Sequence, residues 1–241
     1  MLKKRVIPVL LLRDGRMVKG TQFGNYRDTG SPKTAVRIYS AQDADELVFL
    51  DIQGGLQTGK SLVDIVKEAS TECFMPLAAG GGVGSIDNVR ELLLAGADKV
   101  VVTTAAVASP ALITEISERF GSQCVVAGID YRHSEKGPKV WIRCGTEATD
   151  LDPVEHAKGL VKLGAGEIFL NSIDRDGMMQ GYDLEIAECV ARAVPVPVIV
   201  CGGAGNFMHL VELLRDTAAS AAACASLFHF GDNNPIRARS Y

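Results

Sequence analysis

The sequence repeats itself at an offset of about half its length. The segment PLAAGGGVGS at residues 76–85 reappears as VPVIVCGGAGN at residues 196–206, so that Gly81 corresponds to Gly202. LVFLD at 47–51 reappears as EIFLN at 167–171, and KVVVTT at 99–104 aligns with AAACAS at 221–226. A constant offset of about 120 residues predicts two structurally similar halves, at about 1–121 and 122–241.

Short apolar runs alternate with longer amphipathic runs along the whole chain. Apolar runs predict eight strands, at 5–11, 46–52, 76–79, 99–102, 124–129, 167–171, 197–200 and 221–224. Amphipathic runs predict helices at 34–43, 61–70, 86–94, 111–120, 153–162, 184–193 and 208–216. Eight such units in 241 residues predict one α/β domain over 1–241, a (β/α)₈ TIM barrel. After the last strand a final helix is expected to begin at Pro235, either short or cut off by truncation of the chain.

Composition narrows the class of partner. The net charge of −4 gives no general reason to expect nucleic acid or an acidic membrane surface as partner, and no apolar run approaches the length of a membrane span. The six cysteines form no CxxC pair, and the four histidines are scattered, so no metal and no cofactor are expected. The cysteines are expected to be small buried residues of a cytoplasmic protein.

The ends of the predicted strands carry two glycine clusters. Gly80, Gly81 and Gly82 lie near Thr104, while Gly202, Gly203 and Gly205 lie near Ser226. Glycine lets backbone N–H groups approach an anion closely, although a single cluster of this kind is more typical of a tight turn. Two clusters at matching positions of a repeat favour two phosphate sites on opposite sides of the barrel mouth, hence an elongated bisphosphate ligand.

Several segments together resemble a known family. They are RDGRMVKGTQF, ADELVFLDI, AGGGV, GADKVVVTTAAV, FGSQCVVAGID, SIDRDGMMQGYD and GGAGNFMHL. In combination they resemble the cyclase subunit of imidazole glycerol phosphate synthase, over nearly the whole chain. The resemblance implies a barrel whose mouth binds a ribulosyl aminoimidazole nucleotide with two phosphates. It also implies a glutaminase partner at the opposite face, forming a heterodimer, and ammonia that crosses the barrel core.

The resemblance assigns the chemistry to two carboxylates at the ends of strands 1 and 5. Asp130 fills the second position, but Leu11 stands at the first. Val9 replaces a residue that is often cysteine in the family, and Thr103 stands where asparagine is usual. By the same resemblance, substrate and phosphate binding fall to Lys19, Asp51, Gly81, Gly82, Thr104, Asp176, Gly177, Gly202, Gly203 and Ser226. Phe23 matches the mobile loop that closes over substrate together with Lys19.

Four charged residues match the family's ammonia gate at the other end of the barrel: Arg5, Glu46, Lys99 and Glu167. They would begin strands 1, 2, 4 and 6, and Asp98 matches an interface contact. Burying four charges is costly unless they pair, and a ring of alternating sign pairs them. The same ring is also compatible with a plain salt-bridge plug of the barrel floor.

Other polar residues carry weaker signals. Trp141 lies in a predicted hairpin at residues 133–145, where packing and substrate stacking are both possible roles. Arg16, Arg27 and Arg175 are candidates for phosphate contacts or for solvated surface positions.

Three functions therefore remain open. The first is an active cyclase of histidine biosynthesis, which Leu11 opposes because leucine exchanges no proton. The second is a diverged barrel with weak or no cyclase activity. It resembles cyclase-like proteins of surface-polysaccharide (O-antigen) gene sets, and it passes ammonia to a separate amidotransferase acting on a nucleotide sugar. The third is a non-catalytic barrel that binds a sugar phosphate. The intact charged ring and the missing carboxylate favour the second.

Overall fold

A computed structural model describes residues 4–53, 61–229 and 233–241. Its twelve strands, in these ranges, are β1 (Arg5–Arg13), β2 (Arg16–Thr21), β3 (Gly24–Gly30), β4 (Leu47–Asp51), β5 (Leu77–Gly80), β6 (Lys99–Val102), β7 (Val125–Ser134), β8 (Gly137–Ile142), β9 (Glu147–Ala148), β10 (Glu167–Ser172), β11 (Val198–Cys201) and β12 (Ala221–Cys224). The ten helices of the same ranges are α1 (Pro32–Ala41), α2 (Leu62–Ser70), α3 (Ile86–Leu94), α4 (Thr104–Ala108), α5 (Ala111–Phe120), α6 (Pro153–Lys162), α7 (Leu184–Ala193), α8 (Phe207–Asp216), α9 (Ser226–His229) and α10 (Pro235–Ser240).

Eight of the strands close into a parallel barrel. They pair in the order β1, β4, β5, β6, β7, β10, β11 and β12, and β12 pairs again with β1. Two antiparallel hairpins extend this barrel beyond the carboxyl ends of its strands, which form the mouth. One hairpin is β2 with β3, continuing β1, and the other is the end of β7 with β8 and β9. The predicted α/β fold, a (β/α)₈ TIM barrel, is confirmed.

Side chains alternate between two cores along each barrel strand, because successive residues of a strand face opposite sides. In β1, Ile7 and Val9 face the barrel interior, whereas Val6 and Leu10 pack toward the surrounding helices. The interior layer includes the small side chains of Ala78, Ala221 and Ala223 as well as larger apolar residues.

The half-length repeat is visible in the geometry of the strand ends. Gly81 and Gly202 both adopt left-handed backbone conformations, with φ of +107° and +94°. A Cβ at Gly81 would collide with the backbone of Asp51, and a Cβ at Gly202 would collide with the backbone of Ser172. Both glycines therefore allow the chain to pass close over the end of the preceding barrel strand.

Several local predictions need correction. Lys19 and Phe23, expected in a mobile loop, lie in the β2–β3 hairpin, and the fifth barrel strand runs on to Ser134 instead of ending at residue 129. The short helices α4 and α9 follow strands directly and were not predicted. Two cysteines, Cys144 and Cys189, are exposed and not buried as expected. The final helix begins at Pro235, as predicted.

No helix in the described ranges is both long and apolar enough to cross a lipid bilayer.

Candidate functional site

A cavity of about 570 Å³ opens at the mouth of the barrel. Its polar lining comes from strand ends and the loops after them: Lys19, Asp51, Gln53, Thr103, Thr104, Asp130, Asn171 and Asp176. Its apolar lining includes Val9, Leu11, Leu50, Val101, Phe169 and Cys201. This is the size and composition of a small-molecule site, a mostly apolar hollow with a few convergent polar groups.

Asp130 lines this cavity at the point where β7 leaves the barrel. Its Oδ1 accepts a hydrogen bond of 3.1 Å from Asn171 Nδ2, on the neighbouring strand β10. Burial raises the pKa of the Asp130 carboxyl to about 7; the hydrogen bond from Asn171 opposes the increase, and the Asp176 carboxylate adds to it. A carboxyl group with such a pKa is suited to general acid–base work near neutral pH.

Leu11 lines the same cavity from β1, at the position where the resemblance expects the second catalytic carboxylate. Asp130 therefore has no carboxylate partner from β1.

We expect Asp130→Asn to stabilise the protein at high pH and to change its stability little at low pH. Because the folded-state pKa lies above the ordinary value of 3.8, folding disfavours the ionised carboxyl. That penalty is absent below about pH 4, grows until about pH 7 and is complete above it, reaching on the order of 2–4 kcal/mol. Urea unfolding of both proteins across this pH range measures it, with Asp87→Asn on the exposed face of α3 as the baseline. A gain independent of pH would contradict the assignment.

The β2–β3 hairpin is folded over the cavity and held by a buried ion pair. Lys19 Nζ lies 2.6 Å from Asp176 Oδ1, and both side chains are almost fully buried. Backbone contacts add to the closure, since Gln22 N–H donates to the Asp176 carbonyl at 2.8 Å. Gly177, with φ of +72°, packs so closely that a Cβ there would collide with the Gly20 carbonyl oxygen. The segment expected to close over substrate is thus closed, with Lys19 engaged by Asp176.

We expect Lys19→Met to release this hairpin. The change leaves Asp176 without its cation, and breaking a buried pair costs about 3–5 kcal/mol, more than a two-stranded hairpin can absorb. Backbone hydrogen exchange over residues 16–30 should accelerate while exchange in the barrel strands stays slow. Lys33→Met, which removes an exposed partner of Glu72, is the matched control. Unchanged exchange in the hairpin would show that Lys19 does not hold it.

The first glycine cluster lines the cavity. Gly81 and Gly82 both have left-handed backbones, with φ of +107° and +70°. Thr104, just after the neighbouring strand β6, accepts a hydrogen bond of 3.0 Å from Arg143 N–H in the turn after β8. The cluster has the open backbone geometry that an anion cradle requires, and the same φ values satisfy the tight-turn alternative.

The second glycine cluster lies on the other side of the mouth and is covered. Cys201 and Ala225 line the cavity, but among the described lining residues Gly202, Gly203, Gly177 and Ser226 are absent. Gly203 O accepts a hydrogen bond of 2.8 Å from Gly181 N–H, and a Cβ at Gly203 would collide with the Gly181 carbonyl oxygen. Ser226 is 7% exposed, at the start of α9. The structure therefore brings the first cluster to the cavity and places the loop at residues 178–182 over the second.

Four charged side chains close a ring at the opposite end of the barrel, which we call the floor ring: Arg5, Glu46, Lys99 and Glu167. Arg5 contacts Glu46 at 2.5 Å and Glu167 at 3.0 Å. Lys99 Nζ lies 2.9 Å from a carboxylate oxygen of each of the same two residues. Every charge thus has two neighbours of opposite sign. Burial raises the pKa of the Glu46 carboxyl and so opposes its ionisation, while Lys99 and Arg5 favour the charged form.

Asp98 lies beside the floor ring, exposed on the outer side of the barrel floor. Its Oδ2 accepts a hydrogen bond of 2.8 Å from Leu77 N–H, which ties it to β5. This hydrogen bond holds the exposed Asp98 side chain against the start of β5.

The remaining candidates from the sequence do not line the cavity. Arg132 stacks over Trp141 at 4.9 Å, and Trp141 does not line the cavity, which favours packing over substrate stacking. Arg16 pairs with the exposed Asp28, and Arg175 donates to the Gly181 carbonyl at 3.1 Å. Arg27 is exposed.

Among the histidines whose side chains the structure describes, none lines the mouth cavity. His133 contacts Asp183 away from the cavity, at 2.7 Å. The side chain of His229 lies outside the part of the chain that the structure describes. Within that part, no three His, Cys, Asp or Glu side chains are grouped to hold a metal ion.

The structure adds two residues to the candidate site, Asn171 and Cys144. Asn171 contacts Asp130, and the repeat offered a signal for it because Asn171 occupies the position of Asp51 in the other half. Cys144 lines the cavity and donates from Sγ to the Ile52 carbonyl oxygen at 3.2 Å. No sequence pattern marks Cys144.

A comparison with protein families finds a match over nearly the whole chain. The family model described as "Histidine biosynthesis protein" matches residues 5–234. The chain belongs to this family of histidine biosynthesis proteins. In this family member the floor ring is complete, and the mouth carries Asp130 without a carboxylate at Leu11.

Proposed function

We propose that this barrel receives ammonia from a glutaminase partner and passes it to another amidotransferase. Its own ring-closing activity is weak or absent. The proposal follows the resemblance to the cyclase subunit of imidazole glycerol phosphate synthase, in the diverged form associated with surface-polysaccharide biosynthesis. The final acceptor is then a nucleotide sugar bound by a separate enzyme.

The floor ring is the observation that carries the proposal. Four charges paired in a closed cycle, each only partly exposed, separate solvent from an apolar barrel interior. The closed cycle of ion pairs blocks free passage of solvent ions, and in this proposal neutral ammonia passes the ring when the ion pairs open. The interior beyond it is apolar and includes the small side chains of Ala78, Ala221 and Ala223 beside larger ones.

The partner is a glutaminase subunit in a heterodimer, docked on the face that bears the ring. By the family resemblance, the exposed Asp98 on this face is the contact with the partner.

Leu11 is the reason for assigning weak or no cyclase activity. In the family's ring closure one carboxylate serves as acid and the other as base, and each such group contributes about 10²–10⁴ in rate. Asp130 keeps a pKa near neutrality and is suited to one of these roles. The other role lacks a group that can exchange a proton, because Leu11 occupies that position on β1.

A second candidate is an active cyclase that converts the ribulosyl aminoimidazole carboxamide nucleotide and ammonia to imidazole glycerol phosphate. The raised pKa of Asp130 and the open first glycine cluster favour it. A third, a non-catalytic barrel that binds a sugar phosphate, draws on the same glycine cluster but leaves the floor ring without a role.

Two experiments separate these functions. The barrel is co-expressed with candidate glutaminases, and the purified pair is assayed for glutamine hydrolysis with and without the barrel. Stable co-purification with at least several-fold stimulation of glutamine hydrolysis is expected, and its absence with every candidate would favour the binding barrel. Complementation of a strain that lacks the histidine cyclase is expected to fail, and full rescue would establish the active cyclase instead.

A further inference from the structure

We propose that a groove on the outer side of the barrel, beside α1, binds an uncharged ligand rich in hydroxyl groups, of the size of a sugar. This outer groove has a volume of about 510 Å³ and shares no lining residue with the mouth cavity. Its volume lies within the range of small-molecule sites, about 300–1,000 Å³. The inference goes beyond the proposed function and does not depend on it.

The helix α1 forms the long wall of the outer groove. Four of the lining residues follow one face of this helix, at a spacing of three or four: Ser31, Ala35, Ile38 and Gln42. The other lining residues come from the end of β3, which leads into α1, from Phe228 in α9 and from residues 233–234 just before α10. Because α1 has 10 residues, the wall extends over about 15 Å.

The lining carries no charged side chain. Among the described residues that line the outer groove there is no Asp, Glu, Lys, Arg or His. Its polar groups are the hydroxyls and amides of Thr29, Ser31, Thr34, Tyr39, Gln42, Asn233 and Asn234. An ionic ligand would lose hydration in this groove without gaining a counter-charge. The lining therefore favours a neutral ligand.

Most of these polar side chains keep hydrogen-bonding capacity that the protein does not use. Within the described ranges, six of them make no side-chain hydrogen bond to another residue: Thr29, Ser31, Thr34, Tyr39, Gln42 and Asn233. Two of their oxygens, Thr29 Oγ1 and Gln42 Oε1, are enclosed, so contacts with a ligand fall mainly to the other groups. Several unused donors and acceptors on one surface match a ligand with several hydroxyls, since each hydroxyl both donates and accepts.

Tyr39 carries the strongest indication of a ligand. Its side chain is only 4% exposed, yet its oxygen is not fully enclosed and has no hydrogen-bond partner in the described part of the chain. Burial raises the pKa of the Tyr39 phenol, so the group stays neutral at pH 7 and can donate. A buried hydroxyl without a partner is costly, and a ligand oxygen at the base of the groove would relieve that cost.

Apolar side chains complete the outer groove. Ile38, which is 47% exposed, and Phe228 line it beside the hydroxyl and amide groups. A sugar presents C–H faces as well as hydroxyl edges, so it can satisfy both kinds of lining at once. A wholly apolar ligand would instead leave the hydroxyl and amide groups unpaired.

The test titrates the nitrogen-15-labelled chain with three neutral sugars, glucose, maltose and N-acetylglucosamine, and follows the backbone amide signals. We expect at least one of them to give saturable shifts confined to residues 29–42, 228 and 233–234. Glucose 6-phosphate and glucuronate, the charged relatives of glucose, should bind the groove about ten-fold more weakly, or less, because no counter-charge lines it.

Tyr39→Phe removes only the hydroxyl and should weaken binding of that sugar about two- to ten-fold, the contribution of one hydrogen bond. The matched control is Tyr241→Phe, the same change at a residue that is 65% exposed, and it should leave binding unchanged.

Four results would overturn the proposal: no saturable shift with any of the three sugars, shifts located elsewhere, charged sugars that bind the groove as tightly as the neutral ones, or unchanged binding by Tyr39→Phe. The location of the shifts in the unaltered chain decides the matter even if the variant fails to fold. Neither glutamine nor a glutaminase is present, so failure here leaves the proposed function standing.

Discussion

Leu11→Asp is expected to raise the rate of ring closure from free ammonium salt by about 10²–10⁴, the contribution of one general acid or base. The substrate is the ribulosyl aminoimidazole carboxamide nucleotide, and the readout is formation of imidazole glycerol phosphate. Leu11 lines the same cavity as Asp130, so a carboxylate there faces the reacting groups. The cavity is already lined by the carboxyl groups of Asp51, Asp130 and Asp176. The pKa of the new carboxyl should therefore also lie above the ordinary range for aspartate.

The matched control is Leu11→Asn, which has nearly the same shape and polarity but exchanges no proton. It should remain as slow as the unaltered protein, and the double variant Leu11→Asp with Asp130→Asn should lose the gain. If Leu11→Asp stays inactive while the substrate still binds, the absence of a carboxylate at position 11 is not the cause of the low cyclase activity. If the substrate no longer binds, the cover over Gly203 has removed one phosphate site.

The second prediction with a large expected effect concerns the floor ring. Substitutions there should change the stability of the protein and the transfer of ammonia independently. Glu46→Gln leaves Arg5 and Lys99 with one carboxylate, Glu167, between them. We expect unfolding free energy to fall by about 2–4 kcal/mol, since the ring is largely but not fully buried. Coupled transfer of ammonia from glutamine should fall as well. Urea unfolding and the glutaminase-coupled assay measure the two effects.

The double variant Glu46→Met with Lys99→Met decides between a gate and a plug. Replacing a whole buried ion pair by apolar side chains is often neutral or stabilising, so stability should return to within about 1 kcal/mol of the original. A plug would then be fully replaced and transfer would be unaffected. A gate would remain defective in transfer despite restored stability. Lys158→Met, which breaks an exposed ion pair with Glu155, controls for surface charge.

The barrel could be predicted from local sequence patterns, and the members of the floor ring from the family resemblance. Continuous apolar strands and the half-length repeat specify parallel strands covered on both faces. Arg5, Glu46, Lys99 and Glu167 each stand where an apolar run begins, so closing the barrel brings them together at one end.

The closure of the mouth by the β2–β3 hairpin could not be predicted from local sequence patterns. Lys19 and Asp176 are separated by 157 residues, and neither has a local pattern that selects the other. The β2–β3 hairpin turns through Gln22 and Phe23, which adopt left-handed backbones without being glycine, so the usual turn signal is missing. The burial that leaves Asn171 Oδ1 without a donor depends on packing across strands, which periodicity does not report.

The most direct test of the central claim follows nitrogen from glutamine through the barrel. Leu11→Asp, paired with its glutaminase, is supplied with glutamine labelled with nitrogen-15 in the amide group, in excess unlabelled ammonium. The account predicts that imidazole glycerol phosphate carries mostly the label, and that Glu46→Met with Lys99→Met added to Leu11→Asp lowers this labelled fraction. Product whose label merely matches that of the bulk ammonium would show that ammonia reaches the mouth through solvent and would contradict the account.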